Sequence, residues 1–121
     1  MDDKQRVAIA EQCRNLVLAL GYYGDHRDPA SAVALFAEDG TWLRGGIRYT
    51  GHAELSKSYQ AGSPTAVLRH LHAGTYVTVT DVHHAEGITY RGHGPGPAWP
   101  RPQLVRFRDR NLATFRPAQH L

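Results

Sequence analysis

The sequence predicts an α+β fold: three helices in the N-terminal half, followed by antiparallel strands that form one curved, cone-shaped sheet with the helices packed on its concave side. Three observations carry this expectation. Residues 3–20 repeat apolar side chains at the helical period, a Gly-Gly pair at 45–46 divides two strand-like runs, and from residue 66 onward apolar and polar residues alternate. With 121 residues, the chain is expected to be a single domain, 1–121, with one core and room for a small cavity.

The elements follow in order. In residues 3–20, Ile9, Cys13, Leu16, Val17 and Leu20 share a helix face, with Asp2 or Asp3 as N-cap. Gly21 and Gly24 place the end of this helix within 21–27. Asp28-Pro29 opens a second helix, Asp as cap and Pro at the first helical position, and Glu38-Asp39-Gly40 is expected to end it. Residues 41–44 and 47–50 read as a hairpin around Gly45-Gly46. A third helix is expected over 51–61, and Gly62-Ser63-Pro64 breaks it. Residues 66–80 form the longest strand pattern, with Gly74 marking a bulge or bend. Residues 81–84 are a turn, 85–91 a returning strand, and 92–102, with four prolines and three glycines, a loop. Short strands over 103–108 and 112–116 flank Asp109-Arg110-Asn111.

Composition narrows the function classes. Fourteen Lys/Arg against eleven Asp/Glu give a formal charge of +3 and a pI near 9.3, too mild to argue for nucleic acid unless clustered. Arg101, Arg106, Arg108, Arg110 and Arg116 do gather near the C-terminus, but arginine alternating with apolar residues is also the pattern of a half-exposed strand. The expectation is no nucleic-acid partner. Cys13 is the single cysteine, so no intramolecular disulfide forms. The charged start Met-Asp-Asp-Lys-Gln-Arg has no apolar run behind it, and no stretch approaches the ~18 apolar residues of a membrane span. A cytoplasmic protein without a membrane partner is expected.

Chemistry concentrates first in Gly24-Asp25-His26-Arg27-Asp28-Pro29. Asp28 is best explained as the cap of the second helix, which leaves Asp25 as the carboxylate delivered by the first. His70 and His72 share one face of the long strand. Imidazole titrates near neutral pH, so His70 on a cavity wall would serve as a general acid or base, oriented by a carboxylate such as Asp25. From the pattern alone, a core histidine bonded to backbone fits at least as well. His93 follows the strand expected to pair with the His70 strand and would face it across a cavity mouth, although a loop histidine among glycines fits the same pattern. His-x-His also suits a metal, with His93, His83 or Asp25 completing the shell, but the spacing is unspecific and no metal is expected. His83-His84 reads as a polar turn.

Four pieces stand in a telling order over residues 5–93: Asp25-x-x-Asp28 after an apolar helix; Leu35-Phe36-Ala37-Glu38-Asp39-Gly40-Thr41-Trp42; Gly51-His52-Ala53-Glu54-Leu55; and Arg69-His70-Leu71. Together they resemble a SnoaL-like domain of the nuclear transport factor 2-like superfamily, and the site positions resemble those of scytalone dehydratases. The resemblance implies an α+β cone, often a homodimer through the outer sheet face. It also implies a cofactor-independent lyase or isomerase, of dehydratase or cyclase type, acting on a small hydrophobic or cyclic, polyketide-like molecule. Asp25 would then orient His70, with His93 assisting and Gln103 near a substrate-holding asparagine of the template. Trp42 and Tyr76 would supply aromatic walls. Gly24 and Arg44 occupy the positions of two substrate-positioning tyrosines, for which Tyr22, Tyr23 or Tyr49 would compensate. The C-terminal strand is shorter than the family's and lacks its Gly-Trp. The rival reading is a non-catalytic module on the same fold that binds a ligand or docks a partner protein.

Overall fold

Helix α1 runs Asp3–Asp25, one turn beyond the expected apolar stripe. Asp2 caps it through a reciprocal capping box with Gln5, and Ile9, Cys13, Val17 and Leu20 are buried along one face. The structure, a computed structural model, describes residues 1–60, 69–92 and 101–118. Helix α2 (Pro29–Ala34) starts as expected: the Asp28 carboxylate accepts from the Ser31 amide at 3.2 Å and from its hydroxyl at 2.6 Å. It ends earlier than expected. Phe36 already belongs to strand β1 (Phe36–Arg44), whose inward positions Phe36, Gly40 and Trp42 are buried while Glu38 and Asp39 are exposed. Gly40 is the reason the chain can lie flat here. A Cβ on it would stand 2.9 Å from the Leu112 carbonyl and 3.0 Å from that of Ala37.

Gly45 and Gly46, at φ +58° and +78°, form the primed turn expected between β1 and β2 (Ile47–Thr50). Helix α3 (Gly51–Gln60) buries Leu55 and Ser58, and the His52 Nε2–Phe36 carbonyl contact of 2.9 Å ties its start to β1. The expected Gly-Ser-Pro break and the first residues of the long strand lie outside the described residues. The strand itself, β3, spans Leu71–Val79, with a register shift between His72 and Gly74 at the expected bulge. It is followed by β4 (His84–Gly92), β5 (Arg101–Arg108) and β6 (Asn111–Pro117).

The six strands form one curved sheet in the order β2-β1-β6-β5-β4-β3, antiparallel except for the parallel β1–β6 pair. The inner face carries Val77 and Val79, Ala85 and Thr89, Val105 and Phe107, Leu112 and Phe115 in successive strands, all buried. Helix α1 lies across this face against β3, β4 and β6, and α3 lies against β1. Such enclosure of fully buried Leu20, Leu55 and Phe115 is worth about 1.5–3 kcal/mol per side chain. Edge strand β3 would offer free carbonyls to another sheet. Instead, Arg6 donates to the Val79 carbonyl at 2.8 Å and Arg14 to that of Thr75 at 3.3 Å. No helix is long and apolar enough to cross a membrane among the described residues.

Candidate active site

The last turn of α1 meets the start of β3 on the concave side. Asp25 Oδ1 lies 2.5 Å from His70 Nδ1, and both Asp25 oxygens accept from the His70 backbone amide, at 3.1 and 2.9 Å. The two side chains are nearly enclosed, at 12% and 11% exposure. Burial alone pushes the Asp25 carboxyl up, but the His70 amide and imidazole together with the Arg69 charge hold it below the usual carboxylate value. An ionised carboxylate only accepts hydrogen bonds. His70 Nδ1 therefore carries a proton toward Asp25, which assigns the ring's basic lone pair to Nε2.

The close approach of α1 to β3 depends on Gly21. A Cβ there would stand 2.7 Å from His72 Nε2 and 3.3 Å from His70 Cβ, whereas at Gly24 it would meet His70 Cε1 at an ordinary 3.6 Å. His72 shares the inward side with His70, but among the described residues neither of its ring nitrogens has a hydrogen-bond partner. Its pKa is lowered by burial and by the Arg91 charge, against a smaller opposing effect of Asp25.

The other sequence-derived residues divide into two groups. Trp42 is buried, Tyr23 packs against the core, and Arg44 lies over the Trp42 ring at 4.4 Å. Gln103 pairs with buried Thr89 across β4 and β5 and so shares its inner face. Tyr22 instead turns outward, 59% exposed and stacked on His26. Tyr76 stands on the opposite side of β3 from Thr75 and Val77, 74% exposed. His93 lies outside the described residues. Among the described residues, no three His, Cys, Asp or Glu side chains gather to hold a metal. His83 and His84 sit on the exposed 81–84 turn against Asp109 and Asp81. Arg106 and Arg108 face Glu86 and Asp39, which breaks up the C-terminal basic run.

Two inner-face residues escaped the sequence reading. Arg91, 8% exposed, is the register partner of His72 and lies over the Phe115 ring at 5.2 Å. Burial, reinforced by the Arg44 charge and opposed by Tyr59 and Asp25, lowers its pKa to about 10. Tyr59 on α3 has a buried hydroxyl without a partner among the described residues, and burial raises its pKa. The strand alternation Ala85, Gly87, Thr89, Arg91 was the available signal for Arg91, because it sets an arginine in a row of inward-facing small residues. Tyr59 read simply as the apolar partner of Leu55.

The profile of the SnoaL-like domain family matches residues 5–94; the chain belongs to that family. Solved structures agree on the fold and include proteins described as nuclear transport factor 2-like with a cystatin-like fold. A Novosphingobium aromaticivorans protein provisionally assigned as a scytalone dehydratase aligns at TM-score 0.78 and 13% identity, over 95% of this chain and 86% of its own. A type 2 hexachlorocyclohexane dehydrochlorinase aligns at TM-score 0.77 and 14% identity, over 99% and 90%. A ketosteroid isomerase-like protein from Erwinia carotovora aligns at 0.69 and 16%, over 88% and 92%. No curated protein matches.

Proposed function

We propose that this protein is a cofactor-independent lyase or isomerase acting on a small cyclic molecule, with His70 as its general acid/base and Asp25 as the group that orients it. The observation carrying this reading is the 2.5 Å Asp25–His70 contact in a nearly enclosed position. The dehydratase and dehydrochlorinase assignments of its structural neighbours name eliminations, and the isomerase-like neighbour names a proton relocation. Both reaction types begin by removing a proton from carbon.

In the proposed reaction, His70 Nε2 takes a proton from the carbon beside a carbonyl. The C–H electron pair moves into an enolate. In a dehydration, that pair then forms the C=C bond as the β C–O bond breaks, and the departing oxygen leaves with a proton as water. In an isomerisation, the proton returns to a different carbon. Asp25 offsets the positive charge that His70 acquires and keeps its Nδ1–H in place. His93 is the proposed proton donor to the leaving oxygen. A well-placed acid or base contributes roughly 10²–10⁴-fold.

The test is turnover across a panel of cyclic β-hydroxyketones and unsaturated ketones, followed by proton exchange and product analysis. Asp25→Asn and His70→Ala should keep their far-UV circular dichroism and lose turnover. Full activity in both variants would refute the assignment. A protein that binds members of the panel but converts none would be the ligand-binding module instead.

A second copy of the chain on the outer sheet face is part of the same proposal. Tyr76, Ile88 and Leu104 stand side by side there across β3, β4 and β5, and Tyr76 and Tyr90 are exposed.

A further inference from the structure

We propose that the concave side holds its ligand as a carboxylate, with Arg44 and Arg91 as the two guanidinium partners and the Tyr59 hydroxyl as a third donor. The inference deepens the reading above by naming the substrate's charge, and it rests on that reading only for the reaction, not for the binding.

The first argument is charge. Neither Arg44 nor Arg91 has an ion-pair partner among the described residues, although Arg91 is almost fully buried. Residues 61–68, 93–100 and 119–121 contain no aspartate or glutamate. Buried cations are ordinarily paired; these two repel one another, and the Asp25 charge that partly offsets Arg91 is already engaged by His70, which favours an anion from outside the chain.

The second argument is hydrogen bonding. Among the described residues, the buried side-chain polar atoms without a partner are Arg44 Nη1, Tyr59 Oη and the two ring nitrogens of His72. Native structures carry few such atoms, and these belong to one neighbourhood. Arg44 lies 4.4 Å from the Trp42 centroid and 5.3 Å from that of Tyr59. Trp42 packs on Phe115 at 5.4 Å, and Phe115 carries Arg91. His72 is the cross-strand partner of Arg91. Arg44, Tyr59 and Arg91 thus border the packed Trp42–Phe115 pair, and among the described residues Arg44 Nη1 and Tyr59 Oη have no acceptor.

The third argument is shape. A guanidinium is a planar fork that matches a carboxylate with two parallel hydrogen bonds. Arg44 is held over the Trp42 and Tyr59 rings and Arg91 over the Phe115 ring, and a planar carboxylate is the anion that suits two such forks. An aromatic or cyclic carboxylic acid would supply both the anion and a flat apolar body beside the Trp42 and Tyr59 rings.

Benzoate tests this, with benzamide as the neutral match of the same shape and inorganic phosphate as a non-planar anion. Titration calorimetry and the arginine Nε–Hε resonances of the full chain are read in a low-salt cationic buffer. The expected result is saturable benzoate binding that shifts two arginine signals, at least tenfold tighter than benzamide or phosphate, and weakened at least tenfold in Arg91→Met and in Arg44→Met. Both variants should keep the wild-type circular dichroism; if one does not fold, the other and the wild-type arginine resonances decide. Equal affinity for benzamide, tighter phosphate binding, no saturable benzoate binding, or wild-type affinity in the folded variants would each overturn the proposal. His70→Ala should still bind benzoate. Absence of turnover across the panel, extended to its carboxylate-bearing members, together with tight benzoate binding would therefore sink the acid/base reading alone.

Discussion

Replacing Arg91 by methionine should make the unliganded protein more stable. Arg91 is 8% exposed, and its pKa is lowered to about 10 from the ordinary guanidinium value, chiefly through burial. At 1.36 kcal/mol per tenfold change in the protonation constant, the folded state disfavours the charged form by roughly 3 kcal/mol. The sign follows from linkage. For a base whose folded pKa is lowered, the penalty is present in full below the folded value and is relieved as pH rises through it toward the unfolded one, so at pH 7 it acts undiminished. Methionine removes this penalty with a flexible apolar chain of comparable length, at the loss of a cation–π contact with Phe115 worth about 0.5–2 kcal/mol. The net expectation is a gain of about 1–2 kcal/mol. For a chain of this size it corresponds to a rise in Tm of about 4–8 °C. Differential scanning calorimetry at pH 7 in a low-anion buffer reads this directly, and the wild-type deficit should shrink at pH values above about 10. A fall in Tm of several degrees for Arg91→Met would refute the reasoning, because it would mean that the charge is already offset within the chain.

Three further outcomes follow from the same geometry. Asp25→Asn should cost about 1.5–3 kcal/mol near neutral pH, the range for hydrogen bonds to a charged group. Because the folded pKa of Asp25 is lowered, this contribution is present above the unfolded value of about 3.9 and lost as pH falls through the folded value. Urea midpoints of the two proteins should therefore converge in acid; a gap that widens would contradict the sign. Gly40→Ala should destabilise by about 1–3 kcal/mol, because the new methyl meets two backbone carbonyls at 2.9 and 3.0 Å that cannot rotate away. Gly21→Ala should be milder in stability, since its methyl meets the tip of a side chain, His72 Nε2 at 2.7 Å. It should instead displace His72 and weaken benzoate binding. Thermal unfolding of the pair that ranks Gly21→Ala below Gly40→Ala would overturn this comparison.

Much of the fold was legible because local signals agreed with one another. Asp28-Pro29 specified a cap, Gly45-Gly46 a primed turn and Gly74 a bulge, and each is found there. The second helix was read too long because Leu35-Phe36 is a short apolar run, which suits a helix end as readily as a buried strand. Only the approach of Leu112 across the sheet makes Phe36 and Gly40 strand residues. That Asp28 caps the second helix was legible from the proline that follows it. The cationic side of the site was not. Arg91 ends a strand, and Tyr59 sits four residues beyond Leu55, positions in which such residues are usually solvated or simply packed. Their significance comes from missing partners, and only packing reveals those. Tyr22 and Tyr76 show the converse. An aromatic residue beside a site in sequence faces outward when the helical period or the strand parity turns it, as the exposure of both shows.

The most direct test concerns the state of His70 itself. Long-range ¹H–¹⁵N correlation spectra of the imidazole side chains, recorded above neutral pH in the wild type and in Asp25→Asn, report which ring nitrogen carries the proton. The expected wild-type spectrum shows His70 with a protonated Nδ1 and an unprotonated Nε2, the tautomer that an ionised Asp25 at 2.5 Å imposes. In Asp25→Asn that preference should be lost. A wild-type His70 protonated on Nε2 instead would contradict the Asp25–His70 acid/base assignment.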